Sequence, residues 1–597
     1  MKLEPFTFAK VFWLILLTTQ SLPAAESNQL VVRHATIIGG TETAASNMII
    51  VVDHGRIVEV RKDAVGSLPS TETVVDATGK FIIPGLWDMH VHWHEKDYLP
   101  LFIANGVTGV RIMWGDAVHH SWRKEIESGT LIGPRLYIGS RIVDGPKPYW
   151  PSSVAAGTEA EGRLAVKMAK VAEADFVKVY SLLPREVYFA IADEAKKQAI
   201  PFEGHVPDVV SAFEASAAGQ RSIEHLTGIL AACSSREEEI MKSAGESLAA
   251  IMTTNEPSSR FASGRKSRDL ELETYSKTKA VALSAEFKKN GTWQCPTLTV
   301  LHNVRYVDDP APAADPRMKY MPPMFKSLWN PTNDFRFKDR TAEDIAVGKK
   351  MFQKELEVVG AMKRAGVGIL AGTDTQNPYC FPGFSLHDEL GWLVQAGLTP
   401  MEALQAATIN VARFTGREKD LGTIEKGKIA DLVLLDANPL EDIGNTKKIR
   451  AVVLGGKFYS REALDEMLRN VEKLAGSQKP GIMELLAGTF REKGVEAAIN
   501  QYRELKEKEP QKYDFGEEQL NNLGYYLIGM KKLQEAIEIL KLNVEMFPNS
   551  ANVYDSLGEA YMDDGKKELA IQNYEKSLQI DPGNKNAVEK LKQLNGR

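Results

Sequence analysis

From about residue 86 to residue 422, the sequence alternates short runs rich in valine and isoleucine with longer amphipathic stretches. Such alternation is typical of a parallel sheet whose strands are joined by helices, and a region of this length fits a (β/α)8 barrel. A doubly wound sheet is the alternative, but no glycine-rich dinucleotide fingerprint follows the first strand. The candidate strands are GVTGVRIMW, PRLYIGS, DFVKVYS, IPFEGHVP, RSIEHLT, TWQCPTLTVL and VGILAGTD. We therefore predict an α/β fold with a TIM-like barrel over residues 86–422.

Two groups of strand-like segments lie on either side of this region. Residues 30–83 contain LVVRHATII, NMIIVVDHGRIVEV and ETVVDATGKFIIPG, and residues 427–459 contain KIADLVLLDANP and KIRAVVLGGKFY. These segments alternate in polarity and break at glycine and aspartate, as half-buried strands do. They predict one small composite β-sandwich built from residues 26–85 and 423–460.

The sequence beyond Tyr459 is helical in character. Residues 461–478 predict a helix followed by the linker GSQKPG. Residues 517–550 and 551–584 then repeat the same landmarks at the tetratricopeptide period of about 34 residues. Unrelated amphipathic helices are the alternative, but they would not share both the period and the landmarks. The landmarks of the second block are Tyr554, Leu557, Gly558, Tyr561, Ala570, Tyr574 and Pro582. Residues 479–597 therefore predict an all-α solenoid that can bind a protein partner.

The N-terminus has the layout of a secretory signal peptide. Lys2 and Lys10 flank a short polar start, and the apolar run VFWLILL follows. LPAA then supplies small residues before a polar stretch. The apolar run is too short to span a bilayer, which takes roughly 20 residues. A disordered N-terminus with an apolar patch is the alternative. We predict that residues 1–25 are a signal peptide and that the protein is secreted or periplasmic, without a membrane span.

Composition adds few constraints. At 597 residues the chain is too long for one hydrophobic core, so several domains are expected. A net charge of −6 gives no reason to expect a nucleic-acid partner, because nucleic acid usually attracts a basic face. Cys233, Cys295 and Cys380 form no CxxC pair and are most simply structural thiols, with a single disulfide as the alternative.

Six polar residues at predicted strand ends form the candidate site. His90 and His92 lie in IIPGLWDMHVHWH, and residues i and i+2 of a strand point to the same side, so both imidazoles can reach one ion. This pair alone is explained equally well by satisfied core histidines. The other four residues each end a predicted strand, at the barrel face that holds active sites. They are Lys178 in ADFVKVY, His205 in PFEGHVP, His225 in SIEHL and Asp374 in GILAGTD.

These motifs resemble the amidohydrolase superfamily, in its imidazolonepropionase-like and Xaa-Pro dipeptidase-like branch. PGLWDMHVH, VKVY, GHV, IEHL and AGTD follow the order of that family's metal motifs, and GLTPMEALQAATINVARFTG with LGTIEKGKIADLVLLD resembles its closing signature. The resemblance covers about residues 30–460. It implies two divalent metal ions, with Zn²⁺ expected and Mn²⁺ as the alternative. It also implies one metal on His90, His92 and Asp374, a second on His205 and His225, and Lys178 bridging both as a carbamate.

The implied chemistry is hydrolysis of carbon–nitrogen bonds in small molecules or dipeptides. A lysine ammonium cannot ligate a cation, whereas its CO₂ adduct is an anion that can join two ions. Two metals about 3.5–4 Å apart would share a water and lower its pKa, giving a bridging hydroxide for attack on a carbonyl. Asp374 would accept the proton and return it to the departing amine. For Lys178 the structural alternative is an ion pair with Asp175 or Glu203.

The substrate is less constrained by the motifs. Dipeptidase-like relatives often continue after the lysine with a Gly-Gly loop, whereas this chain has VYSLLPREVY. Tyr180 and His302, the latter at the end of the predicted strand TLTVLH, are candidate substrate contacts; packing at the barrel rim is the alternative for each. Residues 303–338 form a proline-rich loop on the catalytic face, either a lid or a static surface segment.

Two other functions compete with this hypothesis. An imidazolonepropionase-like ring hydrolase would use a single metal, which leaves no bridging role for Lys178. A tetratricopeptide scaffold with a degenerate barrel would have no reason to keep all six candidate ligands. A metal-dependent amidohydrolase is therefore the preferred interpretation.

Overall fold

The computed structural model describes residues 29–39, 44–63, 73–150, 152–253, 264–332, 334, 336–337 and 340–596. The predicted signal peptide, residues 1–25, lies outside the described residues. No helix in the described part of the chain is both long and apolar enough to cross a membrane.

The strands of the described residues fall into three sheets. They are β1 Leu30–Ile37, β2 Ala45–Asp53, β3 Arg56–Lys62, β4 Thr73–Asp76, β5 Phe81–Pro84, β6 Leu86–Val91, β7 Val107–Ile112, β8 Arg135–Ile138, β9 Val143–Asp144, β10 Val154–Ala155, β11 Val177–Val179, β12 Phe202–Gly204, β13 Ser222–Glu224, β14 Trp293–Cys295, β15 Leu432–Leu435, β16 Ile449–Leu454 and β17 Lys457–Ser460.

Helices connect these strands and then form the whole C-terminal region. The α-helices of the described residues are Pro100–Ala104, Ala117–Glu127, Glu159–Val171, Arg185–Lys197, Ala212–Ala217, Ile229–Ala232, Glu237–Thr253, Gly264–Glu273, Lys277–Asn290, Leu298–Arg305, Pro323–Leu328, Ala342–Ala365, Phe384–Gln395, Pro400–Ala406, Ile409–Thr415, Arg461–Ser477, Ile482–Lys493, Val495–Lys508, Glu517–Gly529, Leu533–Met546, Ala551–Asp563, Lys567–Ile580 and Lys585–Leu594. Short 3-10 helices cover Lys96–Tyr98, Ala311–Ala314, Pro316–Tyr320 and Ile443–Lys447.

The two flanking strand groups are joined in one eight-stranded sheet. Its order is β17-β16-β15-β5-β1-β2-β3, and β4 also pairs with β1. The junction is antiparallel, with Leu432 of β15 opposite Pro84 of β5. Val32, Ile50 and Leu432 lie in one buried apolar cluster, which explains why their segments alternate apolar and polar residues.

The central strands are parallel. One sheet has the order β6-β7-β8, and the other has the order β10-β9-β11-β12-β13-β14. Isolated parallel bridges link Gly139 to Phe176, Gln294 to Ile369 and Val91 to Thr375. The pairing therefore runs from β8 to β11, and from β14 through the extended AGTD segment back to β6. The carboxyl ends of these parallel strands meet on one face, where the predicted ligands lie.

One predicted strand is wrong over part of its length. TWQCPTLTVL forms a strand only as far as Cys295, and a helix begins at Leu298. Proline at 296 cannot donate to a strand ladder, and Thr297 has a φ of 50°, which turns the chain. The buried carboxylate of Glu389 then accepts hydrogen bonds from the backbone N–H groups of Leu298 (2.9 Å) and Thr299 (2.7 Å), so it caps the helix.

The C-terminal helices form antiparallel pairs at the predicted repeats. Small landmark residues allow close packing within each pair. A β-carbon on Gly524 would lie 2.6 Å from the side chain of Leu540, and one on Gly558 would lie 3.1 Å from the ring of Tyr574. These contacts explain why both blocks carry glycine at the same position.

Candidate metal centre

The structure brings the six candidate ligands to one place. His90 and Lys178 lie on β6 and β11, His205 and His225 directly follow β12 and β13, and Asp374 lies between the two bridges that join residues 369 and 375 to the sheet. Lys178 and His90 have no exposed surface, and the others are buried or nearly so. The strand ends thus position ligands that are far apart in the sequence.

His90, His92 and Asp374 form the tightest group. Their ligand atoms lie within 4.8 Å of one another. His90 Nε2 lies 3.2 Å from His92 Nε2 and 3.4 Å from Asp374 Oδ1, and His92 Nε2 lies 3.1 Å from the same carboxylate oxygen. Several lone pairs therefore point at one small volume, which suits a divalent cation.

The other three candidates adjoin this group. His225 Nε2 lies 3.8 Å from Asp374 Oδ2, and the His225 ring centroid lies 4.4 Å from that of His90. The His205 and His225 centroids are 5.0 Å apart. Lys178 Nζ lies 5.7 Å from the ring centroid of Tyr180, which stacks on His205 at 3.9 Å. The second group of candidates thus lies directly beside the first, and Asp374 is the residue where the two groups meet.

Hydrogen bonds on the far side of each ring orient the imidazoles. Arg111 forms an ion pair with Glu224, whose Oε2 accepts a hydrogen bond from His90 Nδ1 at 2.8 Å. The Thr297 hydroxyl donates to the Pro296 carbonyl, so it accepts from His225 Nδ1 at 2.6 Å. These bonds leave the Nε2 lone pairs of His90 and His225 directed at the site.

Ser181 has the same role for His205. Its hydroxyl lies 2.8 Å from His205 Nδ1. His205 Nε2, which faces the other way, is buried and has no hydrogen-bond partner among the described residues. The same is true of Lys178 Nζ and His92 Nδ1. Buried polar atoms without partners are rare and costly, so His205 Nε2 and Lys178 Nζ fit a site that holds metal ions; His92 instead presents its Nε2 to Asp374.

Burial governs the protonation of these groups. It lowers the pKa of His90 and His205 well below the usual histidine value, and that of His225 to about 4, so the imidazoles are neutral and able to ligate. Burial would raise the pKa of Asp374, but the adjacent His225, His92 and Lys178 outweigh it and hold that pKa below its ordinary value. Burial lowers the pKa of Lys178 to about 8.

Lys178 does not make either of the ion pairs considered as its structural alternative. Glu203 instead pairs with Arg111 at 2.8 Å, and Asp175 pairs with Arg123. The buried network of Arg111, Glu203 and Glu224 was not anticipated from the sequence. The sequence does contain a sign of this network, because each of these charged residues lies in a short buried strand. A charged side chain that is buried there requires a partner.

The backbone at the site is also unusual. His225, Thr297 and Asp374 all have positive φ values, at 55°, 50° and 59°. Non-glycine residues rarely adopt this conformation, and they do so mainly where the surrounding structure holds them for a function. Gly372 permits the close approach of its strand, because a β-carbon there would lie 2.9 Å from His90 Cβ.

The two predicted substrate contacts differ in position. Tyr180 stacks on His205, and its hydroxyl accepts a 2.8 Å hydrogen bond from Trp150 Nε1, so it lies beside the candidate ligands. His302 lies on the helix Leu298–Arg305, not at a strand end. Its ring stacks between Tyr306 and Trp392, with both centroids 4.5 Å away, and it lines a separate cavity of about 560 Å³.

The proline-rich segment after that helix packs on the catalytic face. Phe325 stacks on Trp93, next to His92, with centroids 5.6 Å apart. Trp329 Nε1 donates to the Gln376 carbonyl at 3.1 Å, two residues after Asp374. Both aromatic side chains are buried, so this segment is anchored over the residues that follow two of the candidate ligands.

Comparisons with known proteins identify the family. The model of the amidohydrolase family matches residues 81–459, and a tetratricopeptide repeat model matches residues 551–584. The chain belongs to the amidohydrolase family, as its motifs predict, and carries a C-terminal tetratricopeptide repeat.

The named relatives are similar to this chain either at low sequence identity or over a short segment. Ochratoxinase of Aspergillus niger is 24% identical over 472 residues, which is 68% of this chain and 80% of the relative. Imidazolonepropionase of Shouchella clausii is 44% identical over 82 residues, only 13% of this chain and 17% of the relative. These similarities support a hydrolase that acts on carbon–nitrogen bonds.

Solved structures support the same fold. A bottromycin amidohydrolase aligns with a TM-score of 0.60 at 21% identity, covering 75% of this chain and 91% of that chain. A Xaa-Pro dipeptidase with bound methionine aligns with a TM-score of 0.51 at 20% identity, covering 72% and 100%. The fold is therefore a mixed α/β amidohydrolase fold of the TIM-barrel type.

Proposed function

We propose that this chain is a metal-dependent amidohydrolase that cleaves amide or peptide bonds of small molecules or dipeptides. The observation that carries the proposal is the convergence of His90, His92 and Asp374 within 4.8 Å, beside buried donor atoms that have no partner among the described residues. Acceptor lone pairs at such distances repel one another unless a cation lies between them. Where imidazole and carboxylate donors converge in this way, divalent metals are the usual cations.

Two divalent ions, Zn²⁺ or alternatively Mn²⁺, fit the donor set. His90, His92 and Asp374 would hold one, and His205 and His225 the other. Lys178 would bridge them as a carbamate. A pKa of about 8 supports this role, because a sizeable fraction of the amine is then neutral and able to add CO₂. The buried Nζ of Lys178 has no hydrogen-bond partner in the described part of the chain, which agrees with a modified side chain.

The metals would activate water and polarise the scissile carbonyl. The chain's own residues would do the rest. Asp374, held ionised by its histidine neighbours, would take a proton from the attacking water and give it to the departing amine. Tyr180 would pack against the substrate, since its ring borders His205. Dipeptidase specificity rests only on the fold, so the substrate class stays broad.

Metal analysis of wild type beside Lys178→Ala tests the proposal. We expect about two equivalents of metal per wild-type chain, hydrolysis of members of a dipeptide and N-acyl amino acid panel, and loss of both properties in the variant. Lys428→Ala is the matched control, because Lys428 is also buried but donates to the Leu421 carbonyl and Thr423, away from the metal centre. Two bound metals in Lys178→Ala would contradict the bridge, and no metal in wild type would favour a scaffold.

A mononuclear ring hydrolase is the second candidate. The local similarity to imidazolonepropionase favours it, and His90, His92 and Asp374 alone could hold one ion. One equivalent of metal, with hydrolysis of cyclic amides only, would establish it instead.

We further propose a secreted or periplasmic location from residues 1–25, and a protein partner for the repeats in residues 479–597. The finer architecture is also proposed: a closed (β/α)8 barrel over residues 86–422, a sandwich from residues 26–85 and 423–460, and a helix with linker over residues 461–478. The parallel bridges that lead from β14 back to β6 support closure. Cleavage of the N-terminus on expression in a secreting host, followed by mass spectrometry, tests the location.

A further inference from the structure

A cavity of about 400 Å³, called the side cavity below, lies beside the candidate ligands on the catalytic face. Ser181, whose hydroxyl contacts His205 Nδ1, and Val206, which follows His205 in the chain, both line it. Tyr149 lines it as well, and its ring centroid lies 6.1 Å from that of Tyr180, which stacks on His205. A substrate bound at the candidate ligands can therefore extend one of its arms into the side cavity.

One wall of the side cavity is an apolar face of the helix Glu237–Thr253. The residues of this face recur at helical spacing, so they lie along one side of the helix. They are Ile240, Met241, Ala244, Leu248 and Ile251. Because contact with alkyl carbon removes such a surface from water, this wall favours an aliphatic chain as the occupant.

Asp208 presents a carboxylate to the same cavity. It lines the cavity and is an exposed residue, yet burial, and then the neighbouring carboxylate of Asp144, raise its pKa to about 7. The exposed surface of Asp208 therefore faces the cavity and not open solvent. Its backbone N–H donates to the Ser181 carbonyl at 3.0 Å, which fixes its position near His205. Its carboxylate accepts no hydrogen bond and forms no ion pair in the described part of the chain.

The other charged residues that line the side cavity have neighbours of opposite charge. Glu237 pairs with Lys279 at 2.6 Å, and Glu271 and Arg268 are charged neighbours of each other. Among the described lining residues, Asp208 differs from these because its charged neighbour is another carboxylate. An enclosed carboxylate is costly to ionise unless a cation joins it. The charge pattern therefore favours a cationic group beside Asp208.

We propose that the side cavity binds an alkylammonium arm of the substrate, with Asp208 as the specificity-determining residue. The substrate class is then amides of aliphatic diamines, whose alkyl carbons would pack on the apolar wall while the ammonium donates to Asp208. Hydrolysis would add one water, break the bond between the carbonyl carbon and the amide nitrogen, and release a carboxylate and a diamine protonated on both nitrogens. This inference rests on the proposed amidohydrolase function and narrows its substrate class.

A matched pair of amides tests the inference. The hydrolysis arm measures benzoate release from N-(4-aminobutyl)benzamide and from N-pentylbenzamide, in which a methyl group replaces the ammonium. The binding arm titrates the metal-loaded protein by calorimetry with the corresponding benzenesulfonamides, whose sulfur–nitrogen bond resists hydrolysis. We expect wild type to prefer the ammonium compound in both arms by about tenfold to a hundredfold, the size of one charge-assisted hydrogen bond.

Variants assign that preference to Asp208. Asp208→Asn should abolish the preference while changing the affinity for the neutral sulfonamide little. Asp309→Asn is the matched control, because Asp309 is also an exposed residue but lines the separate cavity that contains His302. It removes the same charge from the chain and should retain the preference. Equal binding of both sulfonamides by wild type, or an unchanged preference in Asp208→Asn, would overturn the inference.

The two arms separate this inference from the proposed function. Equal binding of the sulfonamides together with benzoate release from both amides would refute the alkylammonium subsite and leave the hydrolase intact. An ammonium preference in binding that Asp208→Asn abolishes, without benzoate release from either amide, would support the subsite and count against the hydrolase. If Asp208→Asn does not fold, the comparison of the two sulfonamides on wild type still decides whether a cation is preferred.

Discussion

Replacing Glu224 or Glu203 with glutamine separates the structural role of the buried Arg111 network from its role at the metal centre. Both carboxylates are fully buried and lie 2.8 Å from an Arg111 nitrogen. Only Glu224 also contacts a candidate ligand, His90, at 2.8 Å. The two substitutions therefore remove the same charge from the same arginine. They differ in that only Glu224 also contacts His90 and accepts a hydrogen bond from the Ser222 hydroxyl.

The expected stability loss is similar for both variants. Breaking a buried ion pair by removing one charge costs about 3–5 kcal/mol. Arg111 keeps its other carboxylate and its bond to the Met89 carbonyl in each case, so we expect a loss near 3 kcal/mol. Denaturant midpoints of the metal-free proteins measure this effect, and they should fall by comparable amounts.

The expected metal affinities differ. Groups that orient a ligating imidazole typically contribute a factor of about 10–100 to metal affinity. Competition with a chelator should therefore show weaker binding in Glu224→Gln by that factor and little change in Glu203→Gln. Equal affinity losses in both variants would refute the reasoning, since they would mean that Arg111, and not the His90 contact, sets the site.

Four other substitutions have definite expected outcomes. Burial raises the pKa of Glu389 to about 8, above its unfolded value, so the free energy of unfolding should fall as pH rises from about 4.5 towards 8, by at most about 1.4 kcal/mol per pH unit. Glu389→Gln should flatten the dependence of the denaturant midpoint on pH. Gly372→Ala should cost about 1–3 kcal/mol and weaken metal binding, because its β-carbon would lie 2.6 Å from Cys295 Sγ. Gly391→Ala, with open space around its β-carbon, should instead stabilise its helix by up to about 1 kcal/mol, and a loss in both variants would contradict the steric argument. Thr297→Ala should lower metal affinity with little change in fold, as His225 loses its orienting bond; an unchanged affinity in chelator competition would dismiss that role.

The parts of the molecule that the sequence predicts are those with a local signal. Strand alternation marks both flanks, and repeat landmarks mark the helix pairs, because each depends on neighbours in the chain. The six candidate ligands are predictable because His90 and His92 share one side of a predicted strand and the other four lie at the ends of apolar strands. Their convergence needs only the rule that parallel strands end on one face.

The rest depends on partners distant in the sequence. Leu298 and Thr299 lie in an apolar run that also suits a strand, and only the carboxylate of Glu389 makes it a helix. Nothing local indicates that Arg111 meets Glu224, or that Arg336 reaches Asn377. Contacts of this kind become apparent only once the strands are assembled.

The antiparallel junction between β5 and β15 has a consequence for biosynthesis. Nearly the whole catalytic region is inserted between these two neighbouring strands, so β5 must wait for its partner until the ribosome has made Leu435. Until then, the edge of β5 is available for pairing with other chains. Truncation before β15 should therefore yield aggregates instead of a smaller soluble enzyme, and the late-made strands act as the closing step of assembly.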